Sequence, residues 1–551
     1  MQFRYRLVFG GLPEELSVLQ AEEVVDHLRN YLGNFLLDPT VCSVYLNRLL
    51  KEAPKKASPR VSSWTFYLIT RMLEMSPLNV SVARIAGQFG LSVSYLNDLL
   101  RCTLPSSVTP KLASALSAPT LRDARNGLLT LLRVYPYSVE LIEPLLRIEL
   151  NMGIPVGSEW VDMVKLPERM KPLLYQSLFM YCLMQRDINR AAVFFYKWNL
   201  TQAGPYVLNH VAEFFAASGL TGNALKTYER SYWLDPIQVP VKYRIEALAN
   251  GTHRTKGDLS GPIAVCLYSY NKEDFLDKTL HTLAESNLGN ARIFVLLNGC
   301  TDSSEERVKA RKVRFFGTRM TVISLPVNIG APAARNWLLA LPEVKTSRYV
   351  AFLDDDVEIP STWLESLVGV LESHPLAGVA GVKVLCPGEP PRLQYLYRNV
   401  AVARSDLIRI SLDVPNWNYD VGFYDFTRPT VNVMGCCHVF KREALDAVQY
   451  FDIRFSPSQM DDIAHDLELA LAGYQVIYHG LVACIHHQMS GIGLASKHVD
   501  FSKLGNGIGN DVKFSYLFAD RLDQLRELNN LRLVPGQPGR VVRTECEQTI
   551  E

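Results

Sequence analysis

A chain of 551 residues exceeds the roughly 250–300 residues at which one hydrophobic core stops growing, so two or three domains are expected. Its 48% hydrophobic and 21% charged residues exclude wholesale disorder. A formal net charge of +1 leaves no global field to draw nucleic acid or an anionic membrane.

The ten cysteines are scattered and form no C-x-x-C pair, which speaks against a structural zinc site. Several lie in apolar runs, such as Val265-Cys266-Leu267 and Ala483-Cys484-Ile485, and read as buried reduced thiols. The first residues lack the apolar stretch of a secretory signal, and no apolar run approaches the ~20 residues of a membrane helix. A cytoplasmic chain without a transmembrane segment is the expectation.

Residues 1–250 carry apolar positions at three- and four-residue spacing, punctuated by proline and glycine. Ala21–Asn30, Trp64–Met75 and Leu121–Val134 read as helices in an N-terminal helical domain (1–120) and a following helical region (121–250). At 79–104 a short helix, a turn at Gly90 and a second helix capped by Ser92 have the outline of a DNA-binding helix-turn-helix. The second helix opens on Ser92-Val93-Ser94-Tyr95, without the Arg, Asn or Gln that reads base edges, so no nucleic-acid partner is expected. Between Pro172 and Pro236, Tyr175, Leu178, Tyr181, Ala191 and Phe195 recur 33 residues later as Leu208, Val211, Phe214, Ala224 and Tyr228. That period resembles a tetratricopeptide repeat, with helices at 138–152 and 240–249 completing the stack.

A polar stretch at 251–260 reads as a linker. Beyond it strands and helices alternate: strand Ile263–Tyr268, helix Asp274–Glu285, strand Arg292–Leu297, helix Ser304–Val313, strand Met320–Leu325, helix Pro332–Leu341 and strand Tyr349–Leu353. Such alternation indicates a parallel sheet whose ligands sit beyond the carboxyl ends of its strands. Four strand ends carry polar residues: Ser269-Tyr270-Asn271-Lys272, Asn298-Gly299-Cys300-Thr301-Asp302, Asn328 to Asn336, and Asp354-Asp355-Asp356. Three consecutive carboxylates after an apolar strand are costly unless neutralised, and a divalent cation does so while also binding substrate phosphates. A solvated acidic turn is the alternative.

Taken in order, these blocks resemble family-2 glycosyltransferases of the GT-A fold, a Rossmann-like α/β domain that acts on nucleotide-diphospho-sugars. The resemblance runs on through Val433-Met434-Gly435-Cys436-Cys437, which it implies is an acceptor-side strand, Lys441-Arg442-Glu443, the basic turn after it, Phe451-Asp452-Ile453-Arg454-Phe455, Asp461-Asp462 ahead of Ala472-Gly473-Tyr474, and His486. It implies a catalytic domain over 261–490 and an inverting hexosyltransferase.

It also implies the site. Asp354 and Asp356, with His486 completing the set and His487 as runner-up, would hold Mn²⁺ or Mg²⁺ against the donor diphosphate; an imidazole ligand favours manganese. Arg335 would contact a phosphate, or else pair with the acidic cluster. Ser269, Asn271, Asn298 and Asp355 would frame the nucleoside. Asp462 would remove the acceptor proton as general base, the alternative being a helix N-terminus that welcomes acidic residues. The chain departs from the family at Leu297, where an aspartate that helps read the nucleobase is usual, so uridine specificity does not follow. Cys300 replaces a serine and Asp461 a glutamate.

The tail (491–551) divides into glycine-rich Gly491–Gly509, a candidate lid, and a helix at Phe514–Leu531. The partners implied are a nucleotide-sugar donor and a protein or saccharide acceptor, a protein acceptor docking on the helical region. A non-catalytic binding scaffold with a degenerate transferase domain is the competing reading.

Overall fold

The computed structural model describes residues 16–51, 58–91, 95–198, 203–250, 256–404, 407–410, 418–487, 501–528, 531–532 and 542–543. The described residues from 21 to 250 are all helical, and local chemistry explains where the helices start. Asp38, Ser58, Asn79 and Thr120 each cap a helix by accepting a backbone N–H of its first turn, and prolines follow at Pro39 and Pro59. Leu121–Val134 is helical over the residues expected, and the other two expected helices run Ala21–Leu32 and Pro59–Met75. Apolar residues on both sides of residue 120 share one buried cluster.

The 33-residue recurrence corresponds to two helical hairpins, Lys171–Met184 with Ile188–Phe195 and Pro205–Ala217 with Thr221–Leu234. Ala191 and Ala224 are fully buried, which lets the paired helices approach closely. At the helix-turn-helix-like segment the helices are Val80–Gln88 and the six-residue Leu96–Arg101, with Gly90 at φ +77°. Its Ser92 cap lies outside the described residues.

After residue 260 the chain forms a mixed sheet. Its strands are β1 (Ile263–Ser269), β2 (Arg292–Asn298), β3 (Met320–Leu325), β4 (Tyr349–Leu353), β5 (Val357–Glu358), β6 (Ala377–Cys386), β7 (Arg392–Tyr395), β10 (Thr427–Thr430), β11 (Cys437–Lys441) and β12 (Gln475–His486); β8 (Val400–Arg404) and β9 (Leu407–Ile410) make a separate hairpin. The order is β10-β12-β6-β11-β4-β1-β2-β3. The four strands read from the sequence are present and mutually parallel. The sheet as a whole is not parallel, because β11 runs antiparallel to both β4 and β6. This is the GT-A α/β architecture behind an all-helical region.

Alternation along β1 explains its two-sided burial. Ile263, Val265 and Leu267 pack with Leu276, Leu280 and Trp363, while Ala264 and Cys266 face Phe294, Ala334 and Leu338. The second cluster continues into the helical region: Phe35 stacks on Tyr397 at 5.1 Å, and Leu36 N donates to the Tyr424 hydroxyl at 3.0 Å. Arg244, ion-paired with Glu213 inside the helical region, donates across the same seam to the Asp425 carbonyl at 2.9 Å.

Three expectations are revised. Val433–Cys436 is a turn leading into β11 rather than a strand, and Lys441-Arg442-Glu443 opens a helix (Arg442–Ala447) rather than a turn. In the tail, the expected helix Phe514–Leu531 is instead the end of Phe501–Leu517, a break, and a second helix Leu522–Leu528. Residues 491–500 of the candidate lid lie outside the described residues, and 501–509 are helical. All nine described cysteines are unpaired thiols, eight of them buried. No helix among the described residues is long and apolar enough to cross a membrane.

Candidate active site

The strand register builds the site. Leu353, the last residue of β4, lies between Leu267 of β1 and Cys437 of β11. Asp354 therefore emerges between the ends of two neighbours. Its N–H donates to the Cys436 carbonyl at 2.9 Å, and the Tyr268 hydroxyl donates to its Oδ1 at 3.4 Å.

Asp355 and Asp356 turn to other partners. Ser269 Oγ donates to Asp355 Oδ2 at 2.6 Å, while Lys272 Nζ donates to Asp355 Oδ1 at 3.0 Å and Asp356 Oδ2 at 2.8 Å. Lys272 thus stabilises two adjacent carboxylates that would otherwise repel each other. Burial pushes the Asp354 carboxyl up to about 6 against the pull of Arg335, and it raises Asp355 too. Asp356 goes the other way: burial opposes its charge, but His486 and Lys272 outweigh it and hold it at about 2.

His486, the last residue of β12, completes a group with Asp354 and Asp356 in which one ligand atom from each lies within 4.8 Å of the others. His486 Nε2 is 3.1 Å from Asp356 Oδ1 and 3.9 Å from Asp354 Oδ2. Asp356 Oδ1 is buried and accepts no well-aligned hydrogen bond, with the His486 imidazole as its ion-pair partner. A buried carboxylate oxygen so placed is costly, and a divalent cation between the three groups would satisfy it. The donor set of two carboxylates and one imidazole suits such an ion. His487 turns away, its Nε2 pairing with Glu358.

On the other side of β4, the buried Arg335 guanidinium pairs through Nη1 with Asp461 and lies 3.7 Å from Asp354 Oδ1. It is sandwiched over the rings of Tyr268 and Phe451, each at 5.2 Å. Of its two expected roles, pairing with the acidic cluster is the one visible. Burial raises the Asp461 carboxyl, and Arg335 draws it back. Asp461 and Asp462 open the helix Asp461–Leu471, and Asp462 Oδ2 accepts from Gly435 N at 3.1 Å. The next carbonyl, that of Cys436, is the one bonded to Asp354. Asp462 and the acidic triplet are thus fastened to consecutive residues of one turn.

The remaining candidates are structural as well as polar. Asn271, at φ +51°, bonds Thr301 through its side chain. Asn298 is buried, its amide committed to Asn328 Oδ1 and the Ile329 N–H. Sequence reasoning passed over Lys272, although a basic residue at the first strand end was there to be noticed. It had no signal for Gln394, which contacts His486 from a strand outside every motif.

Residues 264–449, about a third of the chain, match the family model of glycosyl transferase family 2. The match stops short of Asp461, Asp462 and His486, which geometry alone joins to the matched residues. No curated protein matches the chain. Among solved structures it is similar to GalNAc-T7 with UDP, GalNAc and Mn²⁺, at 11% identity and TM-score 0.35, covering 41% of this chain and 44% of that one. It is similar to S. aureus TarS at 17% identity and TM-score 0.30, covering 44% and 41%. It is similar too to the mannosyltransferase PcManGT from Pyrobaculum calidifontis in complex with GDP-Man and Mn²⁺, at 16% identity and TM-score 0.32, covering 58% and 85%. The chain spans less than half the length of the first two.

Proposed function

We propose that this chain transfers a hexose from a nucleotide-sugar donor to an acceptor hydroxyl with inversion at the anomeric carbon. The observation that carries the reading is the convergence of Asp354, Asp356 and His486 on a rim that one turn, Gly435-Cys436, shares with Asp462.

Asp354, Asp356 and His486 would hold the cation, Mn²⁺ or Mg²⁺. When bound, it supplies Lewis-acid stabilisation of the departing diphosphate. Asp355, held by Ser269 and Lys272, would present its backbone and flank to the nucleoside beside Asn271. Asp462 would accept the proton of the acceptor hydroxyl as that oxygen bonds the anomeric carbon from the face opposite the breaking bond to phosphate. Arg335 keeps Asp461 paired and leaves Asp462 as the carboxylate free for that proton.

The helical region would recognise the acceptor, and two observations support a protein acceptor there. Its hairpins repeat at 33 residues, and Tyr196 and Trp233 on them are 82% and 80% exposed. Aromatic side chains of that kind supply contact area at low entropic cost.

Leu297 favours a second reading. It is a buried core residue where the family usually has an aspartate, as a scaffold with a degenerate site would have. Nucleoside-diphosphate release from a panel of UDP- and GDP-sugars with Mn²⁺ separates the two. Transfer is expected for one donor, with Asp462→Asn lowering it about 10²–10⁴-fold while donor-induced thermal stabilisation persists. A folded chain that releases nothing from any donor leaves the scaffold reading standing.

A further inference from the structure

We infer that Gln394 is a positioning residue for His486, fixing the imidazole with Nδ1 protonated and Nε2 aimed at Asp354 and Asp356, and so setting the affinity of the site for a divalent cation. The inference rests on the reading of those three side chains as a metal site.

Gln394 makes two hydrogen bonds to the same residue. Its Nε2 donates to the His486 carbonyl at 3.1 Å, and its Oε1 faces His486 Nδ1 at 2.6 Å. A backbone carbonyl only accepts, so the amide nitrogen must be the atom on that side. The amide oxygen is then the atom facing Nδ1, and an oxygen there requires Nδ1 to carry the proton. Nε2 is thereby the nitrogen turned to Asp356 Oδ1, 3.1 Å away. A positive centre belongs between them: a proton on Nε2 when no cation is bound, and the cation in its place when one is. Metal-bound histidines gain orientation and basicity from such a partner on the far nitrogen.

The backbone shows why Gln394 reaches this place. Strand β7 pairs antiparallel with β6 at Leu385–Leu393 and again at Val384–Tyr395. Two residues advance on β7 for one on β6, so Gln394 is the extra residue of a bulge. Bulges re-aim a side chain beside active sites. Here the side chain is 4% exposed and points along β12 to its last residue. The strand is braced from the helical region: Arg392, two residues earlier, bonds Asn151 and the Tyr419 hydroxyl, and Tyr419 donates to Asn151 Oδ1 at 3.0 Å.

The test is Mn²⁺ affinity, read from the electron paramagnetic resonance of free Mn²⁺ with the full chain and without donor. Gln394→Leu keeps volume but removes the acceptor; its affinity is expected to fall about 10–100-fold. Gln394→Glu keeps an acceptor for Nδ1–H, and its affinity is expected to stay close to that of the unsubstituted chain. Unchanged affinity in Gln394→Leu, or equal loss in both variants, overturns the positioning role. Failure of the unsubstituted chain to bind Mn²⁺ or Mg²⁺ overturns the metal reading itself.

Discussion

A Cβ atom on Gly435 would lie 2.9 Å from Asp462 Oδ2 and 3.1 Å from Arg335 Nη2. Both groups therefore rest directly on the Gly435 backbone, with the glycine N–H held by Asp462 at 3.1 Å. A methyl group there must push the carboxylate off its seat. Gly435→Ala is expected to lower sugar transfer about 10²-fold, the usual cost of a displacement near 1 Å in a catalytic group. Donor binding, followed by thermal shift, is expected to survive, because Asp354 is held by the Cys436 carbonyl. Full transfer by the alanine variant would falsify the role given to Asp462.

Cation binding should register as stability. At about one hundred times its dissociation constant, a ligand of the folded state alone adds about 2.7 kcal/mol. Mn²⁺ is expected to raise the melting temperature of the unsubstituted chain and to leave that of Asp356→Asn unmoved. A metal response retained in Asp356→Asn would remove that carboxylate from the ligand set.

Glu74 in the helical region gives a pH signature remote from the site. Burial raises its carboxyl from 4.5 to about 7, despite Arg71 at 2.7 Å and the Val207 N–H at 3.0 Å. Within that window the folded chain holds a proton that the unfolded chain has released. Stability therefore falls as pH rises from 4.5 to about 7. Replacement by glutamine removes this slope. The stability of Glu74→Gln relative to the unsubstituted chain is expected to grow by on the order of 2 kcal/mol between pH 4.5 and pH 8, measured by urea unfolding. A pH-independent difference would show that Glu74 is ionised alike in both states.

Beside the seam between the halves, the loss of Glu213 would leave a charge stranded. Glu213 binds Arg244 through both oxygens, at 2.7 and 3.0 Å, and also accepts from the Tyr228 hydroxyl. Both charged side chains are at most 6% exposed. Glu213→Ala is expected to destabilise the chain by roughly 3–5 kcal/mol, since it buries an uncompensated guanidinium. Urea unfolding measures it, and a loss below 1 kcal/mol would mean that water reaches Arg244.

Much of the α/β domain was legible because its strands are short apolar runs with polar ends. Met320–Leu325 and Tyr349–Leu353 match residue for residue, and Asp354, Asp356 and His486, far apart in sequence, do meet. The strand Ala377–Cys386 was overlooked, although the unbroken apolar stretch from 376 to 382 announced it. What periodicity could not supply was pairing. The antiparallel entry of β11 depends on which strands become neighbours, and the partner of Arg335 sits 126 residues away. Gln394 was invisible for the same reason, since a bulge is a mismatch between two strands and neither carries it alone.

That backward-running strand decides more than topology. With β11 entering at the tip where β4 leaves, the turn before one and the acidic end of the other occupy the same edge. Were β11 to run with its neighbours, Gly435 and the helix it seats would open on the far rim, a sheet's width from Asp354. In the proposed transfer, it is thus chain polarity that would bring the leaving phosphate and the attacking oxygen within reach of each other, before any side chain is chosen.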